Sequence, residues 1–333
     1  MPERVGVLFV GLGPIGQEAA RLSLTRPYIE VRGGVDIDPQ KAGQDLGELL
    51  GLGRKLGLGV TSDLGRALDE ASPDVVVLCT GSYFSQVYRQ LVTVIEAGAN
   101  VVSTCEELTF PWAGYPDQAR QLDMLAQKHG VTILGTGVNP GFVMDTMALF
   151  FSGVCQQVRR VSAWRVVDAA TRRRQLQEKV GVGLTPEQFR SAAAAGRVRH
   201  VGLRESAYLV ASGLGWRLND YREEVDPIIA EEPAATEYFT VRPGQVAGLR
   251  QVGSGFRDGE PVVELTLEIY VGAKNPRDTV VIDGVPPLAV EIPGGVHGDR
   301  GTAALVVNAI PRVMEAAPGL LTMKDLPLIH LRV

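Results

Sequence analysis

Three glycines near the N-terminus constrain the fold of this chain more than any other feature. An apolar run, Val5–Val10, leads into the spacing G-x-G-x-x-G, and the following residues are compatible with a helix. Glycine allows a tight turn at the first position, close approach of a pyrophosphate at the second and close helix–strand packing at the third. The pattern predicts a dinucleotide-binding loop at the positive end of a helix, formed by Gly11, Gly13, Pro14, Ile15 and Gly16. The alternative is a glycine-rich turn in an α/β protein that binds no nucleotide.

An acid follows the second apolar run at the distance that such a loop requires. Asp36 lies about 20 residues beyond the glycines, where the residue that bonds the adenosine ribose is expected. Ribose hydroxyls would donate to its carboxylate, whereas a 2′-phosphate would be repelled, which favours NAD. NADP use stays open, because the loop could move the acid aside.

The composition restricts the classes of protein to consider. The chain has 333 residues, enough for two domains, and its net charge of -5 argues against a nucleic-acid surface. Its apolar runs are shorter than the ~20 residues that span a bilayer, and it enters a strand without a signal peptide, so we expect no membrane partner. Three cysteines and four histidines without metal-like spacing predict no metal site and suit a reducing cytoplasm.

Up to about residue 140, short apolar runs alternate with helix-compatible segments. The runs are apolar nearly throughout, as strands buried on both faces must be; they cover 5–10, 31–35, a weaker 58–60, 75–79, 101–103 and 131–134. The predicted helices cover 17–24, 39–50, 64–70, 84–97 and 115–129. The alternation predicts an α/β domain with a doubly wound parallel sheet, and a cofactor binds outside the carboxyl ends of such strands.

Two of these strand ends carry further candidates. The fourth predicted strand continues into Thr80, Gly81 and Ser82, small residues that could border the cofactor, although an ordinary turn explains them equally well. The fifth leads to Glu106 and Glu107, and a carboxylate near a nicotinamide ring can act as a base or pair with a cationic intermediate. Alternatively, both glutamates are exposed acids at the start of a helix, where acids are favoured.

The pattern changes after residues 135–141, a segment rich in Gly, Asn and Pro that predicts a domain crossing. Beyond it the sequence predicts a C-terminal α+β domain with a mixed sheet. Its strand-like runs lie at 158–167, 236–241, 261–271 and 280–290, and its less regular helices at 175–184 and 185–195.

The last helical stretch, 299–317, is expected to return to the first domain, with a kink at Pro311. We therefore predict two domains: a Rossmann domain at 1–139 completed by 299–333, and a substrate-binding and dimerisation domain at 140–298.

Five runs of the sequence carry a family resemblance: GLGPIG at 11–16, VDIDP at 35–39 with DLG at 45–47, STCEE at 103–107, GVNPGFVMD at 137–145, and GD at 298–299 with TA at 302–303. They resemble the dihydrodipicolinate-reductase-like dehydrogenases, and within that group the 2,4-diaminopentanoate dehydrogenases and related NAD(P)H-dependent amine dehydrogenases. The resemblance spans nearly the whole chain. It implies a two-domain homodimer, an active site between the domains and a catalytic glutamate after the fifth strand.

The resemblance also ranks the two glutamates. The more distant homoserine dehydrogenases have a lysine after a similar strand, and superimposing residues 101–105 on that strand puts Glu106 at the lysine position, so we favour it over Glu107. The paired-histidine motif and the Ser-Gly-Thr segment of true dihydrodipicolinate reductases are missing from this sequence. Their absence argues against a reductase of lysine biosynthesis.

These residue types predict chemistry on a C–N bond. In the reductive direction ammonia attacks a ketone, and Glu106 takes a proton from the ammonium or the carbinolamine and stabilises the iminium that hydride reduces. The reverse reaction is oxidative deamination of an amine. We predict an NAD-preferring amine dehydrogenase whose partners are ammonia and a small ketone or amine. The alternatives are another C=N or C=O reductase of the same superfamily and a non-catalytic NAD(H)-sensing protein.

The segment after the sixth predicted strand adds candidates for the cofactor and the substrate. Asn139 is predicted to bond the nicotinamide carboxamide, with a plain turn asparagine as the alternative. Phe142 and Met144 would line the apolar part of the site, and core packing is an equally good account of both.

Charged residues of the second domain are candidates for the polar groups of the substrate. Arg172, Arg173 or Lys179 could bind a carboxylate, and Asp168 could pair with a second ammonium group. His200 is a further polar candidate. Surface exposure is the alternative for each charged residue.

Overall fold

Two compact units make up the chain in the computed structural model, which describes residues 4–332. Unit 1 comprises the residues up to Gly141 together with those from His297 onward, and unit 2 is Phe142–Val296. Within residues 4–332, no helix is both long enough and apolar enough to cross a membrane.

Unit 1 is built on a seven-stranded parallel sheet with the order β15-β6-β5-β4-β1-β2-β3. The chain winds outward from β1 in one direction and then in the other, which is the doubly wound Rossmann order and confirms the predicted sheet. β1 and β4 are buried along their whole length, which explains their continuous apolar sequences. The strands are β1 (Val5–Val10), β2 (Ile29–Val35), β3 (Val60–Thr61), β4 (Val75–Leu78), β5 (Asn100–Ser103), β6 (Thr132–Gly135) and β15 (Gly319–Leu321).

The helices of unit 1 largely follow the predicted spans. They are α1 (Pro14–Ser23), α2 (Leu46–Leu49), α3 (Leu64–Ala71), α4 (Phe84–Glu96), α5 (Pro116–His129) and α10 (Gly298–Glu315). Two short 3₁₀ turns, Glu106–Thr109 and Pro111–Ala113, precede α5. α10 packs against α1 and β5 and continues through Pro311.

The helix predicted over 39–50 is wrong, because only α2 forms within that range. Gly43 has φ +88°, and its N–H donates to the carbonyl of Val60 (2.8 Å) instead of continuing a helical turn. The Asp45 carboxylate then accepts from the N–H of Gly47 (2.8 Å), which starts the helix after the acid.

Unit 2 contains a six-stranded mixed sheet with the order β14-β13-β7-β12-β11-β8, in which β7 and β12 are parallel and the other neighbours antiparallel. This confirms the predicted mixed sheet. Its strands are β7 (Gln157–Asp168), β8 (Asp220–Ile229), β11 (Val246–Arg257), β12 (Glu260–Tyr270), β13 (Arg277–Val285) and β14 (Leu288–Pro293), and β9 (Ala234–Ala235) pairs separately with β10 (Thr240–Val241). Its helices are α6 (Thr146–Ser152), α7 (Arg174–Lys179), α8 (Pro186–Ala194) and α9 (Leu203–Gly213).

Two strands predicted for this unit are wrong as single strands. The run at 280–290 is a hairpin of β13 and β14, since Pro286 and Pro287 offer no N–H groups to a sheet. The run at 236–241 is mostly a turn, in which the N–H of Thr236 donates to the carbonyl of Phe239 (2.8 Å). β8 and β11 are absent from the prediction.

Candidate functional site

The glycine loop, residues 11–16, joins β1 to α1. Gly11 has φ +85°, and a Cβ there would lie 2.6 Å from the carbonyl oxygen of Cys79. A Cβ on Gly16 would collide with the carbonyl of Gly11, whereas a Cβ on Gly13 would meet no atom within 4 Å. Packing within the protein therefore requires glycine at 11 and 16, and the space beside Gly13 is open to a ligand.

The start of α1 faces that space without a capping side chain. Gly13 is the N-cap and Pro14 the first helical residue, so the N–H groups of Ile15 and Gly16 lie in the first turn, where helix N–H groups lack intrahelical partners. Such a terminus suits an anion.

Asp36 joins the glycine loop to the end of β2. Its Oδ2 accepts from the N–H of Leu12 (2.8 Å) and from Nζ of Lys41 (2.9 Å), and its Oδ1 accepts from the N–H of Asp38 (2.9 Å). Burial raises the pKa of the Asp36 carboxyl, but the hydrogen bonds from Asp38, Lys41 and Leu12 outweigh it and leave the pKa below its ordinary value. The group is therefore a carboxylate at neutral pH.

The residues after β4 are bonded to α4 and to the segment after β5. The Thr80 hydroxyl donates to Oε1 of Gln90 (2.5 Å), and the carbonyl of Ser82 accepts from the N–H of Glu107 (3.2 Å). A Cβ on Gly81 would meet the flexible end of the Gln86 side chain. That these three residues border the cofactor stays a prediction.

The two glutamates open the 3₁₀ turn that follows β5, and the bonds that they make differ. Oε2 of Glu107 accepts from the N–H of Phe84 (2.7 Å), the first residue of α4. An acid at a helix N-terminus is stabilised by the helix dipole, so Glu107 anchors the 3₁₀ turn to α4. Glu106 is half-buried beside it.

Asn139 lies in a tight loop between β6 and the end of unit 1. The N–H of Val138 donates to Oγ1 of Thr302 in α10 (3.2 Å). Gly141 has φ +121°, and a Cβ at this position would collide with the backbone of Gly137. Both polar atoms of the Asn139 amide are buried, and neither has a hydrogen-bond partner among the described residues. A buried unsatisfied polar group costs about 1–3 kcal/mol. A ligand that offers both a donor and an acceptor, as a carboxamide does, would satisfy the pair.

A buried ion pair crosses the sheet of unit 2. Nη1 of Arg165 in β7 lies 2.7 and 2.8 Å from the two carboxylate oxygens of Asp278 in β13, and Nη2 donates to the carbonyl of Val296 (2.6 Å). The N–H of Val296 donates in turn to Oδ2 of Asp278 (2.7 Å). Both side chains are almost completely buried.

Arg172 lies within electrostatic range of Arg165, and both arginines lie within range of His200. Burial, and after it the charges of Lys179, Arg165 and Arg172, lower the pKa of His200 well below its ordinary value, so its imidazole is neutral at pH 7. Nδ1 of His200 is buried without a hydrogen-bond partner in the part of the chain that the structure describes. We call Arg165, Arg172, Lys179 and His200 the basic cluster.

Two buried glutamines hold the cluster in place. Gln251 in β11 brackets the backbone of His200, accepting from its N–H (2.7 Å) and donating to its carbonyl (2.8 Å). Nε2 of Gln177 donates to the carbonyl of Arg172 (2.7 Å), and that arginine is buried, not exposed as the alternative would have it.

Of the other substrate candidates of unit 2, Asp168 has a structural task. Oδ1 of Asp168 accepts from the N–H groups of Ala170 (2.9 Å) and Gly272 (3.1 Å), which holds the ends of β7 and β12 together. Met144 is fully buried and Phe142 half-buried. That Asp168, Met144 and Phe142 contact the substrate stays a prediction.

Sequence reasoning missed Lys41 and the two glutamines. A lysine five residues after Asp36 is visible in the sequence, but its contact with that acid depends on the turns that replace the predicted helix. The sequence gives no signal for Gln177 or Gln251, because their bonds are to backbone atoms of other elements.

A Rossmann unit with a glycine loop and an acid after its second strand, followed by a mixed-sheet unit, is the fold of the dihydrodipicolinate-reductase-like dehydrogenases. A family profile described as the 2,4-diaminopentanoate dehydrogenase C-terminal domain matches residues 142–332. The chain belongs to the 2,4-diaminopentanoate dehydrogenase family, which confirms the resemblance carried by the sequence runs.

Relatives match along nearly the whole chain. The 2,4-diaminopentanoate dehydrogenase of Acetoanaerobium sticklandii is 32% identical over 343 aligned positions, covering 98% of this chain and 94% of that protein. The structure of an amine dehydrogenase from Mycobacterium smegmatis superimposes with a TM-score of 0.88 at 27% identity, over 98% of this chain and 97% of that one. A dipicolinate-bound dihydrodipicolinate reductase from Paenisporosarcina sp. TG-14 shares the fold, with a TM-score of 0.54 at 14% identity over 97% and 99% of the two chains.

Proposed function

We propose that this chain is a nicotinamide-dependent amine dehydrogenase, which deaminates an amine oxidatively and aminates a ketone reductively with ammonia. The names of its relatives, 2,4-diaminopentanoate dehydrogenase and amine dehydrogenase, support this reaction class. The observation that carries the proposal is the position of two glutamates directly after β5, where Glu107 anchors the 3₁₀ turn to α4 and Glu106 lies half-buried beside it. Family membership supports a homodimer as the working assembly.

The residues of unit 1 fit a nicotinamide dinucleotide. The open space at Gly13 suits a pyrophosphate, and the amide of Asn139, which has no hydrogen-bond partner within residues 4–332, suits the nicotinamide carboxamide. When bound, this cofactor accepts or donates a hydride at its ring. We infer a preference for NAD, since the buried Asp36 carboxylate would accept from ribose hydroxyls and repel a 2′-phosphate.

Glu106 is proposed to handle the proton and the charge. As a carboxylate it would take a proton from the incoming ammonium or from the carbinolamine in the reductive direction, and a general base contributes roughly 10²–10⁴ in rate. The iminium formed from the substrate is positive, so a fixed carboxylate beside it lowers the barrier to hydride transfer. In the oxidative direction the same group stabilises that cation and then helps water to add.

The basic cluster supports a substrate that carries a carboxylate. Arg172 is buried in unit 2 and its backbone is held by Gln177, and Arg172, Arg165 and Lys179 each lie within electrostatic range of a neutral His200. An arginine in such a position suits a carboxylate, which accepts two parallel hydrogen bonds from it. We therefore propose an amino acid such as a 2,4-diamino acid over a simple amine, with Asp168 as a partner for the ammonium group that does not react.

Glutamate substitutions test the reaction. Glu106→Gln should lower kcat for ammonia-dependent NADH oxidation roughly 10²–10⁴-fold, whereas Glu107→Gln, the matched control, stays within about tenfold. The affinity for NADH, measured by fluorescence titration, should be unchanged in Glu106→Gln. Equal turnover of Glu106→Gln and wild type would contradict the proposed role of Glu106. NADH binding without turnover of any ketone or diamino acid would favour an NAD(H)-sensing protein.

Arginine substitutions test the substrate class. Arg172→Met should lower kcat/KM for a 2,4-diamino acid about tenfold to a hundredfold, because it removes charge-assisted hydrogen bonds. Activity with an amine that lacks a carboxylate should change much less. Arg174→Met is the control, since Arg174 is exposed and pairs with Glu178 (2.9 Å). A wild-type enzyme that prefers the simple amine would contradict the assignment.

A further inference from the structure

We propose that Lys41 sets how strongly unit 1 discriminates between NAD and NADP, a role that rests on the proposed dinucleotide-binding function. Its Nζ lies 2.9 Å from Oδ2 of Asp36 and 3.7 Å from Oδ2 of Asp38. Its side chain is only 23% exposed. The ammonium group is therefore held against the carboxylate that would meet the adenosine ribose.

The charge of Lys41 opposes the selectivity that Asp36 alone would impose. Asp36 and Asp38 together would place two negative charges beside the ribose, and a phosphate monoester brings about −1.5 to −2 more at pH 7. An ammonium group in contact with both acids cancels one of these charges. It is also a compact cation that binds phosphate directly, so it can serve the purpose of the arginine that accommodates a 2′-phosphate in other Rossmann proteins.

Asp36 does not depend on Lys41 for its position. The N–H of Leu12 and the N–H of Asp38 each hold one of its oxygens, at 2.8 and 2.9 Å. Removing the lysine therefore changes the charge at this site and leaves the acid in place. Ile37, between the two acids, is 83% exposed and provides an open apolar surface suited to an adenine ring.

The test is the affinity of the full chain for NADH and NADPH, measured by fluorescence titration at fixed ionic strength. In Lys41→Met the ratio Kd(NADPH)/Kd(NADH) should rise about tenfold to a hundredfold, the value of a hydrogen bond to a charged group. Lys41→Arg should keep the wild-type ratio. Lys55→Met is the matched control, because Lys55 is 72% exposed and pairs only loosely with Glu48 (3.5 Å).

The outcomes separate this role from the proposed function. An unchanged ratio in Lys41→Met, whether both affinities stay or both fall together, would mean that Lys41 is only a structural brace, and the inference would be wrong. A wild-type chain that binds neither NADH nor NADPH would instead overturn the dinucleotide-binding function. The effect of Lys41→Met should also shrink at high salt, since it is electrostatic.

Discussion

The two units carry their polar side chains in different places. In unit 1 the central strands β1 and β4 are apolar, and the groups suited to binding or reaction lie beyond the strand ends, in the glycine loop, at Asp36, after β5 and at Asn139. In unit 2, charged and amide side chains lie within the strands, where Arg165 of β7 pairs with Asp278 of β13 and Gln251 of β11 brackets a loop.

This difference follows from the desolvation cost of burying a charge in each kind of sheet. A parallel sheet covered on both faces has no room for a charge, because an unpaired buried charge is very unfavourable. The polar groups of such a sheet are therefore placed at the strand ends. The mixed sheet buries charges that are paired across strands, so it can give a substrate site a particular electrostatic character. We therefore propose that unit 1 binds the cofactor and that unit 2 determines substrate selectivity.

The largest expected effect is on the buried pair of unit 2. Asp278→Ala leaves Arg165 charged and unpaired, which should lower the free energy of unfolding by about 3–5 kcal/mol in urea titrations. The double variant Arg165→Met with Asp278→Leu should recover most of that loss. Asp283→Ala is the control on the same two strands, since the Arg159–Asp283 pair is more than half exposed and such pairs contribute at most about 1 kcal/mol. Equal losses in both single variants would erase the contrast between the two kinds of pair.

The next largest expected effect is a difference between alanine substitutions at Gly16 and at Gly13 of the glycine loop. Gly16→Ala forces a Cβ onto the carbonyl of Gly11, so we expect a loss of about 1–3 kcal/mol in stability together with loss of NADH binding. Gly13→Ala should keep stability within about 1 kcal/mol, because the protein leaves that space open and only an N-cap glycine is lost. Its NADH affinity should nevertheless fall. A Gly13→Ala protein with wild-type NADH affinity would show that no pyrophosphate approaches this position.

The same physical difference explains how much of the fold the sequence predicts. The strands of unit 1 are visible because burial on both faces produces runs such as Val5–Val10 and Val75–Leu78. β8 alternates exposed and half-buried residues and is rich in charge, and β11 contains three glycines, so neither shows an apolar run. Strands of that kind are defined by their neighbours in the sheet, which one sequence does not reveal.

The candidate site divides along the same line. The glycine loop, Asp36 and the glutamates were predictable because local spacing and strand ends determine them. Arg172, Lys179 and His200 of the basic cluster were predicted as separate candidates, because Lys179 and His200 are far apart in the chain. Arg165 was not predicted. The proximity of the four residues follows from the packing of β7, α7 and β11, which no short motif encodes.

Glu107 tests the structural task assigned to the second glutamate. Glu107→Ala removes the acceptor for the N–H of Phe84 at the start of α4, and we expect the free energy of unfolding to fall by about 1–2 kcal/mol. Glu106→Ala should reduce turnover much more than Glu107→Ala does. Chemical denaturation and kcat measured on both variants give the comparison. If Glu107→Ala is the more damaging to turnover at full stability, the two roles must be exchanged.

The smallest expected effect is a pH dependence at Asp36. Its pKa in the folded chain is lowered, since the bonds from Asp38, Lys41 and Leu12 outweigh its burial, so its contribution to stability is present above the unfolded pKa of about 3.9 and is lost as pH falls through the folded value. Below about pH 4 the unfolded chain binds the proton first, so the free energy of unfolding decreases. Asp36→Asn should flatten that part of the profile, and Lys41→Met should flatten it partly, because one of the three bonds is removed. Identical slopes in the three proteins between about pH 5 and pH 2 would mean that these bonds favour the carboxylate no more than water does.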